Sequence, residues 1–195
     1  TPSTPVKVAL DLAGLKPGEL FCDLGAGDGR MLYAAARRGA LAIGVELKAE
    51  LVDGIRKRVT EEGLDGKVYV THGDLYRFDY MRQADVVYAF LDDKGNEVLK
   101  SRLERTLSPG TRVVTFRYKI PGWKPVKRVK VSDPEGKAAG VLLLRTLYLY
   151  VFGQHVPEEA PREALLPSLT TVSLRNMMII VWKEFLHTKR DRHAL

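Results

Sequence analysis

Phe21-Cys22-Asp23-Leu24-Gly25-Ala26-Gly27-Asp28-Gly29-Arg30 decides the fold. An apolar run enters a glycine-rich turn, and residues 29–38 behind it carry helical spacing. Glycines at 25, 27 and 29 let the backbone turn sharply and approach a ligand where a Cβ would intrude. The N-terminal amides of the following helix would then face whatever lies over the turn, which suits a carboxylate or phosphate. A dinucleotide fingerprint, Gly-x-Gly-x-x-Gly, needs its third glycine at position 30. Arg30 stands there, which argues against a nicotinamide or flavin enzyme. Taken alone, the turn is also compatible with a tight bend and nothing more.

Strand-like and helix-like segments alternate outward from this turn. Residues 19–25, 41–47, 68–73 and 86–91 read as buried strands. Residues 49–62 read as a helix, with Leu51, Ile55 and Val59 on one face and charge on the other. This order predicts βαβ units and a parallel sheet covered on both sides. Beyond residue 110 the rhythm changes. Residues 112–120, 127–133 and 146–153 are strand-like, and no helix-length segment separates the last two. They should pair antiparallel, with a long loop through Asp133-Pro134-Glu135-Gly136-Lys137-Ala138-Ala139-Gly140. The expected fold is therefore α/β and Rossmann-like, a parallel sheet finished by a C-terminal antiparallel hairpin.

Two acidic positions sharpen the reading of the turn. Glu46 closes the second strand, where a carboxylate can accept both hydroxyls of an adenosine ribose. Asp74 follows the third strand and can accept from the adenine amine, or it can cap the next turn. Open α/β sheets bind ligands at these carboxyl ends.

Together these features resemble the class I S-adenosylmethionine methyltransferases over residues 4–153. The resemblance implies S-adenosylmethionine as cofactor and S-adenosylhomocysteine as product. It further implies that Asp23 and the backbone of Gly25, Ala26, Gly27 and Gly29 hold the methionine moiety. Glu46, followed by Leu47, would take the ribose, and Asp74 with Leu75 the adenine. Tyr88, Ala89, Phe90 and Leu91 would lie beside the transferable methyl.

The segment after the fourth strand bears on the acceptor. Ala89-Phe90-Leu91-Asp92-Asp93 lacks the Asn/Asp-Pro-Pro-Tyr/Phe motif of methyltransferases acting on adenine or glutamine. Cys22 lies inside the first strand, away from any cytosine-C5 chemistry, and the histidines lack metal-ligand spacing, so no metal is expected. Thr4-Pro5, CDLGAGDGR, GVEL, YAFL, LSPGTRVVTFRYKIPGW and LYLYVFGQH are similar to the small archaeal protein-lysine methyltransferases, relatives of a mitochondrial lysine methyltransferase family. That resemblance implies protein substrates with exposed lysines. Tyr88 and Asp92 are the candidates to orient the amine, although Asp92 and Asp93 can equally cap a helix. Trp123 would line the acceptor channel or simply pack. Arg117 follows Phe116 where those relatives tend to carry an acidic residue.

Composition sets the remaining bounds. The 195 residues are 45% hydrophobic and 28% charged, suited to a single globular core. Depletion of Asn and Gln beside abundant Lys, Arg and Glu is a thermophile tendency. One cysteine excludes an intrachain disulfide and points to a reducing cytoplasm. The apolar run Met177–Trp182 is too short to span a bilayer, so no membrane role is expected. Net charge of +7 favours acidic partners, which keeps nucleic acid, and an RNA methyltransferase, as a second reading. A non-catalytic cofactor-binding assembly protein is a third. Residues 1–153 should form the methyltransferase domain, with 154–195 a linker and amphipathic helical extension open to homo-oligomer formation.

Overall fold

In the computed structural model, residues 3–138 and 141–154 are described. The extension expected over 154–195 therefore lies, from residue 155 on, outside the described residues. Helix α1 (Ser3–Ala13) has Pro5 in its first turn, where a missing N–H is harmless. It ends where Gly14 takes φ 60° and the Leu15 amide donates to the Leu10 carbonyl. Strand β1 (Leu20–Leu24) is buried at every position, as befits a central parallel strand. Then come α2 (Arg30–Arg37), β2 (Leu41–Glu46), α3 (Ala49–Glu61), β3 (Val68–His72), β4 (Val86–Ala89), α4 (Asp93–Thr106), β5 (Arg112–Phe116), β6 (Lys127–Ala138) and β7 (Val141–Val151).

The strands form one seven-stranded sheet in the order β3-β2-β1-β4-β5-β7-β6. β1 to β5 pair parallel, and β7 enters antiparallel between β5 and β6. The expected α/β architecture with a terminal antiparallel hairpin is thus present. Register aligns the strand ends that matter: Leu24 lies opposite Val45 and Ala89, and Glu46 opposite His72. The loops leaving β1, β2, β3 and β4 therefore emerge at one end of the sheet.

Details differ from the sequence expectation for physical reasons. Helix α3 buries Val52, Ile55 and Val59, while Leu51 is only half-buried. A 3.6-residue turn tracks the i, i+3, i+7 row better than a strict interval of four. β5 stops at Phe116 rather than 120 because Arg117 leaves extended geometry at φ 74°. β6 continues through Pro134 and Gly136 to Ala138, so the long loop expected there is strand. β6 is an edge strand, where proline is tolerated, and its register shifts between Asp133 and Ala138.

The main core cluster packs α1, α2 and α3 residues such as Leu10, Leu32 and Ile55 against Phe21, Tyr88 and Val114 of the sheet. Tyr33 of α2 sits within it at 1% exposure, the Arg58 guanidinium 4.6 Å from its ring centroid. The Tyr33 hydroxyl is buried with no hydrogen-bond partner among the described residues. An unpaired buried hydroxyl is costly. Tyr33→Phe is therefore expected to raise unfolding free energy by about 1 kcal/mol in urea titrations. Destabilisation instead would show that the hydroxyl is paired.

Candidate active site

The turn between β1 and α2 is built against the end of β2. The Gly25 and Ala26 amides both donate to the Val45 carbonyl, at 3.0 and 2.9 Å. The Gly27 amide donates to Glu46 Oε2 at 2.8 Å, and the Gly29 amide to the Ala26 carbonyl at 2.9 Å. These conformations need glycine, since Gly25, Gly27 and Gly29 have φ of 89°, 58° and 78°. These four turn amides are thus spent on protein acceptors. A phosphate grip of the dinucleotide kind has little to draw on here.

Arg30 turns back on the turn itself. Its guanidinium donates to both Asp28 carboxylate oxygens, with Nε at 2.9 and 2.8 Å. Burial would raise the Asp28 carboxyl, but the hydrogen bonds and charge of Arg30 outweigh it and hold the group below its ordinary value.

Glu46 is 9% exposed. Besides Gly27, its carboxylate accepts from the Lys48 amide at 3.0 Å through Oε1. Each carboxylate oxygen keeps a lone pair for a ligand hydroxyl. His72 Nε2 lies 3.0 Å from the Leu47 carbonyl, and the Gly73 amide donates to the Glu46 carbonyl at 3.0 Å. These contacts fix the exit from β2 and leave the Leu47 side chain 69% exposed beside the site.

Asp74 caps a short 3-10 turn, Leu75–Arg77, by accepting from the Tyr76 amide at 2.9 Å. The turn carries Leu75 toward the glycines: a Cβ built on Gly25 would stand 3.9 Å from Leu75 Cδ2. Asp74, Leu75 and the β1 turn are thereby brought to one rim. Asp92 caps α4, its Oδ1 accepting from the Gly95 amide at 2.7 Å, and is exposed.

Tyr76 was not singled out from the sequence. Its hydroxyl donates to the Gly95 carbonyl at 3.3 Å, joining the rim after β3 to the start of α4. Burial raises the Tyr76 phenol, and the charges of Asp92 and Asp74 raise it further. A three-residue turn carries no periodicity, so only its place two residues after Asp74 hinted at it.

The remaining candidates lie deeper. Asp23 is 2% exposed, and burial, with Glu46 and Asp28 adding negative charge, pushes its carboxyl well above the ordinary range. Tyr88 and Ala89 are 2% and 0% exposed. Tyr88 belongs to the core cluster, so the hydroxyl expected at the acceptor sits inside the sheet and not on an open surface. Beyond it, Phe90 and Leu91 are half-buried. Trp123 packs: it is 5% exposed, donates to Glu104 Oε1 at 3.0 Å and lies 5.7 Å from both the Tyr150 and Phe152 rings. Cys22 is buried, which pushes its thiol up and leaves it a poor nucleophile. Among the described residues no cluster of His, Cys, Asp and Glu could hold a metal, and no helix is long and apolar enough to cross a membrane.

The donor set suits S-adenosylmethionine. Buried Asp23 offers a carboxyl oxygen as acceptor for an amino group, Glu46 offers acceptors for a diol, and Leu47, Leu75 and Asp74 offer apolar surface and an acceptor for a purine amine. Over Gly27, a Cβ would meet nothing within 4 Å, leaving space above the turn.

Residues 23–127 match the family described as the ANTKMT methyltransferase domain. A protein-lysine N-methyltransferase of Saccharolobus islandicus is 35% identical over 157 residues, spanning 80% of this chain and 92% of that protein. The adenine nucleotide translocase lysine N-methyltransferase of Mus musculus is 34% identical over 122 residues, which cover 62% of this chain but only 52% of that protein. Among solved structures, an RNA methyltransferase from Salinibacter ruber in complex with S-adenosylhomocysteine superimposes with TM-score 0.69 at 35% identity, covering 84% of this chain and 97% of that one. With the sheet order and the glycine turn these matches leave one assignment: the chain belongs to the ANTKMT methyltransferase domain family and is a class I S-adenosylmethionine-dependent methyltransferase.

Proposed function

We propose that the chain methylates lysine side-chain amines of proteins. The observation that carries this is the 35% identity to the Saccharolobus islandicus protein-lysine N-methyltransferase, sustained over 92% of that protein. In this reading Glu46 holds the ribose, and Leu47, Asp74 and Leu75 the adenine. Asp23 faces the methionine amino group, while Gly25, Ala26, Gly27, Gly29 and Ala89 keep bulky side chains off the floor. Bound S-adenosylmethionine supplies an electrophilic methyl on a sulfonium.

The chain's own residues must deliver a neutral amine to it. A free lysine ammonium has a pKa of about 10.4, so deprotonation has to be favoured locally. Half-buried Phe90 and Leu91 can strip water from the amine, which favours the neutral form. In this reading exposed Asp92, rather than buried Tyr88, orients it. One Asp92 oxygen already holds the Gly95 amide, and the other can accept an amine N–H. A carboxylate also favours the ammonium, so the apolar flank must outweigh it before the proton leaves to solvent.

Incubating the chain with methyl-labelled cofactor and separate protein and RNA fractions tests this reading. Label on protein lysine, located by mass spectrometry, is the expected result. The similarity to the Salinibacter ruber RNA methyltransferase favours a second reading, and label confined to RNA would establish it.

Asp23 gives a separable prediction. Its folded carboxyl is raised, so the folded state binds the proton more tightly than the unfolded chain. Stability then falls as pH rises from about 4 through the folded pKa, and stays lowered above it. Asp23→Asn is expected to raise the Tm of the free protein at pH 8, with the gain fading toward about pH 4. The same change should weaken S-adenosylhomocysteine about tenfold in calorimetry. Unchanged Tm at pH 8 would contradict a buried carboxylate there.

A further inference from the structure

Away from the cofactor loops, the surface collects cations that the fold itself does not use. Arg117, Lys119, Arg128 and Lys130 are exposed. None of them forms an ion pair with a described residue. Seven arginines elsewhere are matched, among them Arg30 with Asp28, Arg37 and Arg58 with Glu62, Arg102 with Asp79 and Arg112 with Glu19, while exposed Arg77, Arg82 and Arg105 lie singly without an ion pair to a described residue.

Register places two of these four cations on one face. Arg128 stands opposite Tyr148 and Lys130 opposite Thr146 across the β6–β7 ladder, and cross-strand partners project to the same side. Lys119 joins them, its ammonium 5.8 Å from the Tyr148 ring centroid. The other face of these strands is occupied, since Val129, Val131, Leu147 and Leu149 pack into the core cluster with α1.

Arg117 completes the patch in a conformation that long side chains avoid. It is the one non-glycine among the described residues with positive φ, 74°. The Tyr118 amide donates to the Phe116 carbonyl at 2.9 Å, closing a γ-turn around it. Neighbours hold the turn in place. Arg117 N donates to the Thr146 carbonyl at 2.7 Å, Thr115 Oγ1 to the Tyr118 carbonyl at 2.7 Å, and Asn96 Nδ2 to the Lys119 carbonyl at 3.2 Å. Asn96 lies in the first turn of α4, which Asp92 caps, so the cationic turn is tied to the acceptor side of the site. A strained residue that its surroundings over-determine is a feature of functional loops.

We propose that Arg117, Lys119, Arg128 and Lys130 dock acidic side chains flanking the acceptor lysine, with Arg117 the specificity-determining cation. The inference rests on the lysine reading of the acceptor. Charge alternation carries it: acidic Asp92 and Asp93 at the start of α4 suit the lysine, and the neighbouring basic face suits acidic residues beside it. A protein segment fits better than RNA because the aromatics are already engaged. The Arg117 guanidinium lies 5.3 Å from the Tyr118 centroid, and Lys119 covers Tyr148, so neither ring is free on that face to stack a base.

The test uses the full chain and synthetic peptides with one central lysine flanked by Asp/Glu, by Gly/Ser or by Arg/Lys. Steady-state transfer of labelled methyl is measured at low salt and at roughly 0.5 M salt. The acidic-flanked peptide is expected to have a KM about tenfold below the neutral one at similar kcat, a gap that salt closes. Arg117→Gly, which suits the positive φ, should narrow the gap, and Arg128→Glu with Lys130→Glu should invert it. Retained S-adenosylhomocysteine binding in calorimetry would show that both variants are folded. Equal KM values for the three peptides, or an order unchanged in both variants, would overturn the inference and leave lysine methylation standing. Label in RNA with no peptide methylated would sink both.

Discussion

Glu46→Ala is expected to lower affinity for S-adenosylhomocysteine by at least about two orders of magnitude. The carboxylate does two jobs in the free protein. It accepts the Gly27 amide at 2.8 Å and the Lys48 amide at 3.0 Å, fastening the glycine turn to the exit of β2. In our assignment it also meets the ribose diol. Hydrogen bonds to a charged group contribute about 1.5–3 kcal/mol each, and each 1.4 kcal/mol is tenfold in affinity. Loss of two ribose contacts alone accounts for about a hundredfold, and release of the turn adds to it. Glu46→Gln should fall between, because its amide group sets a donor against one of the two backbone donors. Calorimetric titration with S-adenosylhomocysteine decides the matter. A loss below about threefold in Glu46→Ala would place the ribose elsewhere.

Most of the framework was legible because parallel sheets advertise themselves. β1 and β2 are apolar runs ended by Gly25 and Glu46, and α2 and α3 announce themselves by apolar spacing. Where the sequence misled, a tertiary interaction had overridden a local signal. Residues 112–120 look like one strand, but the Thr146 carbonyl and the Thr115 hydroxyl capture the chain at Arg117 and Tyr118 and bend it. Asp133–Ala138 has turn composition, yet it belongs to β6, paired at its two ends, Asp133 with Leu143 and Ala138 with Val141, across a register shift. The carboxylates of the site were visible from their positions near the carboxyl ends of β1 and β2 and just beyond β3 and β4. Their environments were not. No pattern in the chain states that Tyr76 would bridge to Gly95.

A capping role does not exclude ligand binding by the same side chain. Asp74 holds the Tyr76 amide and Asp92 the Gly95 amide, each through Oδ1. An ionised carboxylate has about four acceptor sites, so a cap occupies a fraction of its capacity. The cap has a benefit for recognition: a side chain fixed by its own backbone loses less rotamer freedom when a ligand arrives. The glycine turn follows the same logic with the opposite outcome. The amides of Gly25, Ala26, Gly27 and Gly29 are spent internally, so in our assignment recognition falls more heavily on the side chains around the turn.

Gly29→Ala is expected to destabilise the chain by roughly 2–5 kcal/mol, the sum of a backbone and a packing penalty. Gly29 caps α2 at φ 78°, a left-handed conformation that costs an L-residue about 1–2 kcal/mol. A Cβ built there would also fall 2.7 Å from the Tyr33 hydroxyl oxygen and 2.8 Å from Ile55 Cγ1. Both neighbours are 1% exposed, so neither can swing into solvent, and overpacking adds about 1–3 kcal/mol. For a domain of this size that corresponds to a Tm lowered by on the order of 10 °C. Gly27→Ala provides the control. Gly27 has φ 58°, but a Cβ there meets nothing within 4 Å, so it carries the backbone penalty alone. Thermal unfolding of the two free variants should therefore separate them, with Gly29→Ala the less stable by the packing difference. Equal Tm values would show that Tyr33 and Ile55 give way and that α2 is not seated as tightly on the turn as the contacts require.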